Sequence, residues 1–279
     1  MSKTFHFTSG LPRSGSTLLA AILRQNPRIH ASMTSPVGSL FSSLHTTMGQ
    51  ANEFSDFIDE RQRERMLRGI FDLYYQEHPQ EVIVDTNRLW CARLPLLMRL
   101  FPNAKVLCTV RNVAWIMDSV ERLVRKNALQ PSKLFNGPAE SDTVYHRTEA
   151  LAGRDRFVGF SYYALKEAFY SPEARNILVI DYDLLTQAPA QVMPLVYQFL
   201  GEPAFAHDFE NLDYQEPGFD ARIGLSGLHE VKRKVAFRPR QTVLPPDLFK
   251  QYSQLDFWKN TEGSVANVIN ASTAPAPSK

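Results

Sequence analysis

The residues best suited to chemistry lie near the start of the chain. Gly10-Leu11-Pro12-Arg13-Ser14-Gly15-Ser16-Thr17 packs two glycines, a cation and three hydroxyls into one short turn. Such a turn suits an anion. Glycines let the backbone approach a ligand closely. The N–H groups that open a following helix are unpaired and carry partial positive charge. The spacing of Gly10, Gly15 and Thr17 matches the loop that cradles nucleotide triphosphates, Gly-x4-Gly-Lys-[Ser/Thr], at every defined position but one. Position 16 is Ser, where that loop has the Lys that reaches the β- and γ-phosphates. The cation sits at Arg13 instead, inside the turn. This pattern predicts a nucleotide with a single 5′-phosphate bearing a reactive group. An ordinary glycine-containing turn is the plainer alternative.

The elements around the turn must position it. Thr4 to Thr8 alternates with Phe5 and Phe7, the period of a strand. Leu18, Leu19, Ile22 and Leu23 follow at helical spacing, and Asn26-Pro27 ends that helix. Val82–Val84, Val106–Val110 and Ile177–Ile180 are short apolar runs of the kind buried on both faces of a sheet. Helical patterns over 89–100, 113–126, 160–170 and from Pro189 to Gly201 lie between and after them. Alternating strands and helices predict an α/β fold, a single P-loop-type three-layer domain with a central parallel sheet. The domain is expected to span residues 1–265. The Ala-, Ser- and Pro-rich residues 266–279 are expected to be a disordered tail, and 131–143 a long functional loop.

Composition narrows the function. The 279 residues carry 31 Lys+Arg against 29 Asp+Glu, a net of +2, which argues against binding a nucleic-acid backbone through bulk charge. Charge is nonetheless segregated. Residues 201–220 hold six acids and no Lys or Arg, a net of −6, while 229–240 hold five bases against Glu230, a net of +4. No apolar run has the length of a membrane span and no signal-peptide pattern opens the chain, so a cytoplasmic protein is expected. Cys91 and Cys108 have no metal-ligand spacing and read as reduced packing residues.

Leu11-Pro12-Arg13-Ser14-Gly15-Ser16-Thr17-Leu18-Leu19 resembles the 5′-phosphosulfate loop of sulfotransferases that use 3′-phosphoadenosine 5′-phosphosulfate. It is closest to the Pro-Arg-Ser-Gly branch of bacterial and tyrosyl-protein sulfotransferases. The resemblance implies that Pro12, Arg13 and the backbone N–H groups of Ser14, Gly15, Ser16 and Thr17 hold the donor's phosphosulfate. Phe101–Asn112 resembles the family's strand leading to its 3′-phosphate arginine, which would be Arg111, and Ser119 matches the serine that follows. Arg111 lies at the carboxyl end of a strand, where open α/β sheets bind ligands. Gly227–Val235 resembles the loop that closes over the donor nucleotide, which implies contacts from Lys232, Arg233 and Lys234. A surface ion-pair role for Arg111 and a solvated charge run at 232–234 are the alternatives.

The resemblance implies sulfuryl transfer to an acceptor hydroxyl on a small molecule, lipid or peptide, a tyrosine phenol among them, without a metal. The chain departs from the family over the general base. His30–Pro36 has no carboxylate where the tyrosyl-protein branch places its Glu. Small-molecule sulfotransferases have a His just past the second strand. Asp85 occupies that strand end here and is the candidate base, with Arg88 as a second electrostatic helper. A helix cap or ion-pair partner is the alternative for Asp85. His30, His45, His146 and His229 are further candidates. Trp90, Trp115, Phe160, Tyr162 and Tyr163 could line a phenol pocket or fill the core. An atypical P-loop kinase and a non-catalytic adenosine-bisphosphate-binding module are the competing functions. The oligomeric state stays open, a homodimer included.

Overall fold

A computed structural model describes residues 3–49, 51–129, 131–214, 217–222 and 226–269. The chain begins with strand β1 (Thr4–Gly10), helix α1 (Ser16–Leu23), strand β2 (Ile29–Ala31), helices α2 (Val37–Thr47) and α3 (Glu60–Tyr74) and strand β3 (Val82–Thr86). Helices α4 (Leu89–Ala92) and α5 (Leu94–Leu100), strand β4 (Val106–Val110) and helices α6 (Val113–Lys126), α7 (Pro138–Ser141), α8 (Val144–Ala152) and α9 (Gly159–Phe169) follow. Strand β5 (Ile177–Asp181), helices α10 (Tyr182–Gln187), α11 (Pro189–Leu200), α12 (Pro217–Arg222) and α13 (Pro246–Ser253) and strand β6 (Asn267–Ile269) complete it.

The six strands form one parallel sheet in the order β2-β3-β1-β4-β5-β6. The expected three-layer α/β architecture is therefore present. Successive side chains on a strand point to opposite faces, and the core divides accordingly. Phe5, Phe7, Ile83, Val106, Cys108, Ile177 and Val179 pack against one layer of helices. Val82, Val84, Leu107, Leu178 and Ile180 pack with α1 and α11 on the other. The chain leaves β1 toward β2 and β3 but leaves β4 toward β5. The carboxyl ends of the adjacent β1 and β4 thus flank the topological switch point, where a crevice opens.

Three expectations about elements need correction. The helix expected over 89–100 is two helices, because Pro95 has no N–H to donate and its ring disfavours helical geometry in the preceding turn. The segment 131–143 is not wholly loop, since α7 lies within it. The tail does not begin at 266: Asn267–Ile269 pairs with Leu178–Ile180 as the edge strand β6. Residues 270–279 lie outside the described residues. Cys91 and Cys108 are free and buried, with their sulfurs 3.5 Å apart.

Candidate active site

Over the switch point lies a cavity of about 690 Å³, lined by the turn after β1, the ends of β3 and β4, the start of α10 and the segment 228–240. The turn is built tightly. The Ser14 side chain faces inward, where its Oγ donates to the Leu11 carbonyl at 2.5 Å and lies 2.8 Å from Thr109 Oγ1. Gly10 has φ +100°, and a Cβ there would lie 2.3 Å from the Thr109 carbonyl oxygen. Gly15 has φ +95°, and a Cβ there would lie 2.7 Å from the Tyr182 ring. Both positions need glycine for conformation and space together. Arg13 has φ 57°, the one non-glycine residue with positive φ among the described residues. The first N–H of α1 to find a helical partner is that of Leu19, on the Gly15 carbonyl at 2.9 Å. The preceding N–H groups are thus the orphan donors of a helix start.

A second cationic centre stands on β4 and α6. Arg111 follows the last residue of β4, and Asn112 caps α6 by accepting from the Ala114 N–H at 3.1 Å. The Arg111 guanidinium lies 4.3 Å from the centroid of the Tyr182 ring, and its Nε is buried without a hydrogen-bond partner. Such an orphan donor is costly unless a ligand completes it. Ser119 is reached from the turn, since Arg13 Nε donates to Ser119 Oγ at 3.1 Å. Arg13, Arg111 and Ser119 all line the cavity. Burial, then the neighbouring Arg111, pulls the Arg13 pKa down to about 10, so the side chain still stays charged at neutral pH.

The acidic and basic segments lie against each other. Leu212 N–H donates to the Arg233 carbonyl at 2.7 Å and Val235 N–H to the Phe209 carbonyl at 2.8 Å. Lys234 pairs with Glu210 at 2.7 Å. Lys232 and Lys234 line the cavity, whereas Arg233 does not. Arg238 and Arg240 also line it. Arg240 is held at 2.7 Å by Asp118, a fully buried carboxylate that also accepts from Arg122 and the Val243 N–H. Arg240 is one of the five bases of the 229–240 run, and nothing in its spacing distinguishes it from the others.

Asp85 does not reach the cavity, which corrects its expected role as base. Strand β3 runs through Thr86, two residues beyond the apolar run, so Asp85 pairs opposite Phe7 and points into the core layer with Ile83. There its carboxylate accepts from Ser35 Oγ at 2.5 Å, Tyr75 OH at 2.5 Å and Trp90 Nε1 at 2.7 Å. Burial pushes its pKa up against the opposing effect of those three donors. Arg88, past the true strand end, does line the cavity. Its guanidinium lies 4.3 Å from the Phe157 ring centroid, and burial lowers its pKa to about 10.

Of the four histidines considered, His229 alone lines the cavity. Its Nδ1 is 2.5 Å from Asp220 Oδ1, and its backbone N–H donates to Asp220 Oδ2 at 2.8 Å. None of Trp90, Trp115, Phe160, Tyr162 and Tyr163 lines it. Phe157, Tyr182, Phe219 and Phe237 do. Tyr182 directly follows β5, so the strand-end rule that pointed to Arg111 would have found it. Among the described residues no group of three His, Cys, Asp or Glu side chains could hold a metal ion, and no helix is long and apolar enough to cross a membrane.

Comparison with known proteins adds a family. The family model described as "Sulfotransferase family" matches residues 7–207. No curated protein matches the chain. Among solved structures, mouse sulfotransferase SULT7A1 complexed with PAP is 15% identical, with a TM-score of 0.52 over 92% of this chain and 84% of that one. A sulfotransferase from Alicyclobacillus acidocaldarius is 16% identical, with a TM-score of 0.50 over 80% of this chain and 90% of that one.

Proposed function

Because the chain belongs to the sulfotransferase family, we propose that it moves a sulfuryl group from 3′-phosphoadenosine 5′-phosphosulfate to an acceptor hydroxyl by in-line transfer. The observation that carries this reading is the pair of anion sites along one cavity. One is the turn Gly10–Thr17. The other is Arg111, with its unpartnered buried Nε, on a wall that also carries Ser119. Two such sites suit a nucleotide phosphorylated at both its 3′ and 5′ positions.

When bound, the donor supplies an activated sulfuryl group on a good leaving group. The protein's part is positioning and charge stabilisation. The N–H groups of Ser14 to Thr17 hold the 5′-phosphate, and Arg111 and Ser119 hold the 3′-phosphate. Lys232, Lys234 and Arg240 close the cationic wall. Arg13 and Arg88 stabilise negative charge on the transferring group and on the oxygen it leaves. The reading calls for no metal. Phe157, Phe219 and Phe237 support an acceptor hydroxyl on an aromatic or apolar body, a tyrosine phenol among them.

Calorimetry tests the donor site. Adenosine 3′,5′-bisphosphate should bind without Mg²⁺, and ATP with Mg²⁺ should not compete. The reverse preference would favour a P-loop kinase. Transfer of ³⁵S-sulfate from the labelled donor to a panel of Tyr peptides, phenols, sugars and lipid alcohols tests turnover. Binding with no transfer to any of them, water included, would leave a nucleotide-binding module instead.

A further inference from the structure

The family reading leaves the proton of the acceptor hydroxyl without a recipient, since Asp85 is sealed in the core. The cavity wall offers few alternatives. Its ionisable side chains are Arg13, Arg88, Arg111, four further Lys and Arg residues of the 228–240 segment, Tyr182, Glu230 and His229. Guanidinium and ammonium groups are hydrogen-bond donors with no acceptor site, and Glu230 is exposed to solvent. His229 differs in three respects. It is half-buried in the wall. Its Nδ1 is engaged by Asp220, a carboxylate 4% exposed that lies behind it. Its side chain lines the cavity, and its Nε2 makes no hydrogen bond to a described residue. A carboxylate on Nδ1 holds the proton there and leaves the lone pair on Nε2.

We infer that His229 is the general base of sulfuryl transfer, with Asp220 as the positioning residue that holds its tautomer and ring. This rests on the sulfotransferase reading above. In the step, the acceptor oxygen forms a bond to sulfur and its proton passes to His229 Nε2. The bond from sulfur to the bridging phosphate oxygen breaks, and its electron pair stays on the phosphate. The imidazolium then returns the proton to water.

The surroundings suit that task. Asp220 comes from α12, Arg13 from the phosphate turn and Arg88 from the turn after β3, with the Phe219 ring 5.5 Å from the imidazole. Burial lowers the His229 pKa most. Arg13 and Arg88 lower it further, and Asp220 opposes them. The balance keeps the imidazole neutral, and so basic, at neutral pH. A base must be unprotonated, so the rate falls as pH drops through this pKa. The two arginines that would stabilise the transferring group thus also keep the base free of a proton.

The test uses the full chain and, as acceptor, water together with any hydroxyl found in the panel. His229→Gln should bind adenosine 3′,5′-bisphosphate as tightly as the wild type but lose about 10²–10⁴ in ³⁵S release or transfer. Asp220→Asn should lose at least about tenfold. It should also move the acid limb of the rate profile to lower pH, because the carboxylate that raises the His229 pKa is gone. A merely structural Asp220 would not move that limb. Long-range ¹H–¹⁵N spectra of the wild-type complex should show His229 as the Nδ1–H tautomer, which keeps the question decidable if a variant fails to fold. Full turnover in His229→Gln, lost bisphosphate affinity in that variant, or an Nε2–H tautomer each overturns the assignment. A wild type that binds no bisphosphate overturns the donor reading as well.

Discussion

Replacing Arg111 with Ala should change which nucleotide the protein prefers, and by a calculable amount. The Arg111 Nε is buried without a partner, so the cavity wall carries an unsatisfied charged donor. A guanidinium can give a phosphate two parallel charge-assisted hydrogen bonds. At about 1.5–3 kcal/mol each, the pair contributes roughly 3–6 kcal/mol, or about 10²–10⁴ in Kd. That loss should fall on the 3′-phosphate alone. Calorimetry with adenosine 3′,5′-bisphosphate and with adenosine 5′-monophosphate separates the sites. Arg111→Ala should weaken the bisphosphate by about 10²–10⁴ and the monophosphate by less than about tenfold. A small common loss is expected, because the guanidinium stacks 4.3 Å above the Tyr182 ring, and that ring packs on Gly15 in the other site. Arg111→Lys keeps the charge but not the planar fork, so it should fall between. Equal weakening of both nucleotides would refute the division of the cavity into two phosphate sites. Unchanged binding of both would remove Arg111 from the site altogether.

Three further outcomes follow from other residues. Arg13→Gly should raise Tm by about 2–4 °C, since glycine adopts φ 57° without strain, while sulfuryl transfer falls more than about 10²-fold; a lower Tm with transfer retained would contradict both roles. Asp85→Asn should cost about 1–3 kcal/mol in urea unfolding, because the amide must turn an N–H toward one of the three donors that the carboxylate accepts. The acid limb of the rate profile should survive in that variant, and its disappearance in a fully stable protein would restore Asp85 as the base. His6 is pulled down to about 4 by burial and then Lys105, and its Nδ1 accepts the Lys105 N–H at 3.1 Å. The unfolded chain therefore binds the extra proton between pH 6.5 and 4, and folding stability should fall across that window by up to roughly 3 kcal/mol. Urea melts at pH 7 and pH 5 measure this, and a His6→Asn variant that loses as much as the wild type would show the acid loss to come from elsewhere.

Much of the site was legible because it is local. The turn Gly10–Thr17 needs only neighbouring residues: glycines where φ is positive, a buried serine, and a helix beginning at Ser16. Arg111 and Asn112 were legible for the same reason, standing where an apolar strand run stops and a capped helix begins. The strand ends were less secure. The run Val82–Val84 looks complete at Asp85, yet hydrogen bonding to β1 carries the strand on to Thr86. Strand length depends on the neighbour, and a shift of two residues took the base from Asp85 and left Arg88 in the cavity.

The sequence by itself determined the fold class and the glycine-bearing turn after β1, because each is written in short-range spacing and periodicity, while Arg111 and the basic 232–234 run were singled out by the resemblance to sulfotransferases. Tertiary structure decided which long-range partners those residues meet. It set the acidic 201–220 segment against the basic 229–240 segment, gave Asp118 to Arg240, and brought Asp220 behind His229. Spacing along the chain carries no information about such pairings. They arise only when the sheet order places the ends of β1, β3, β4 and β5 around one crevice and the later segment folds across it.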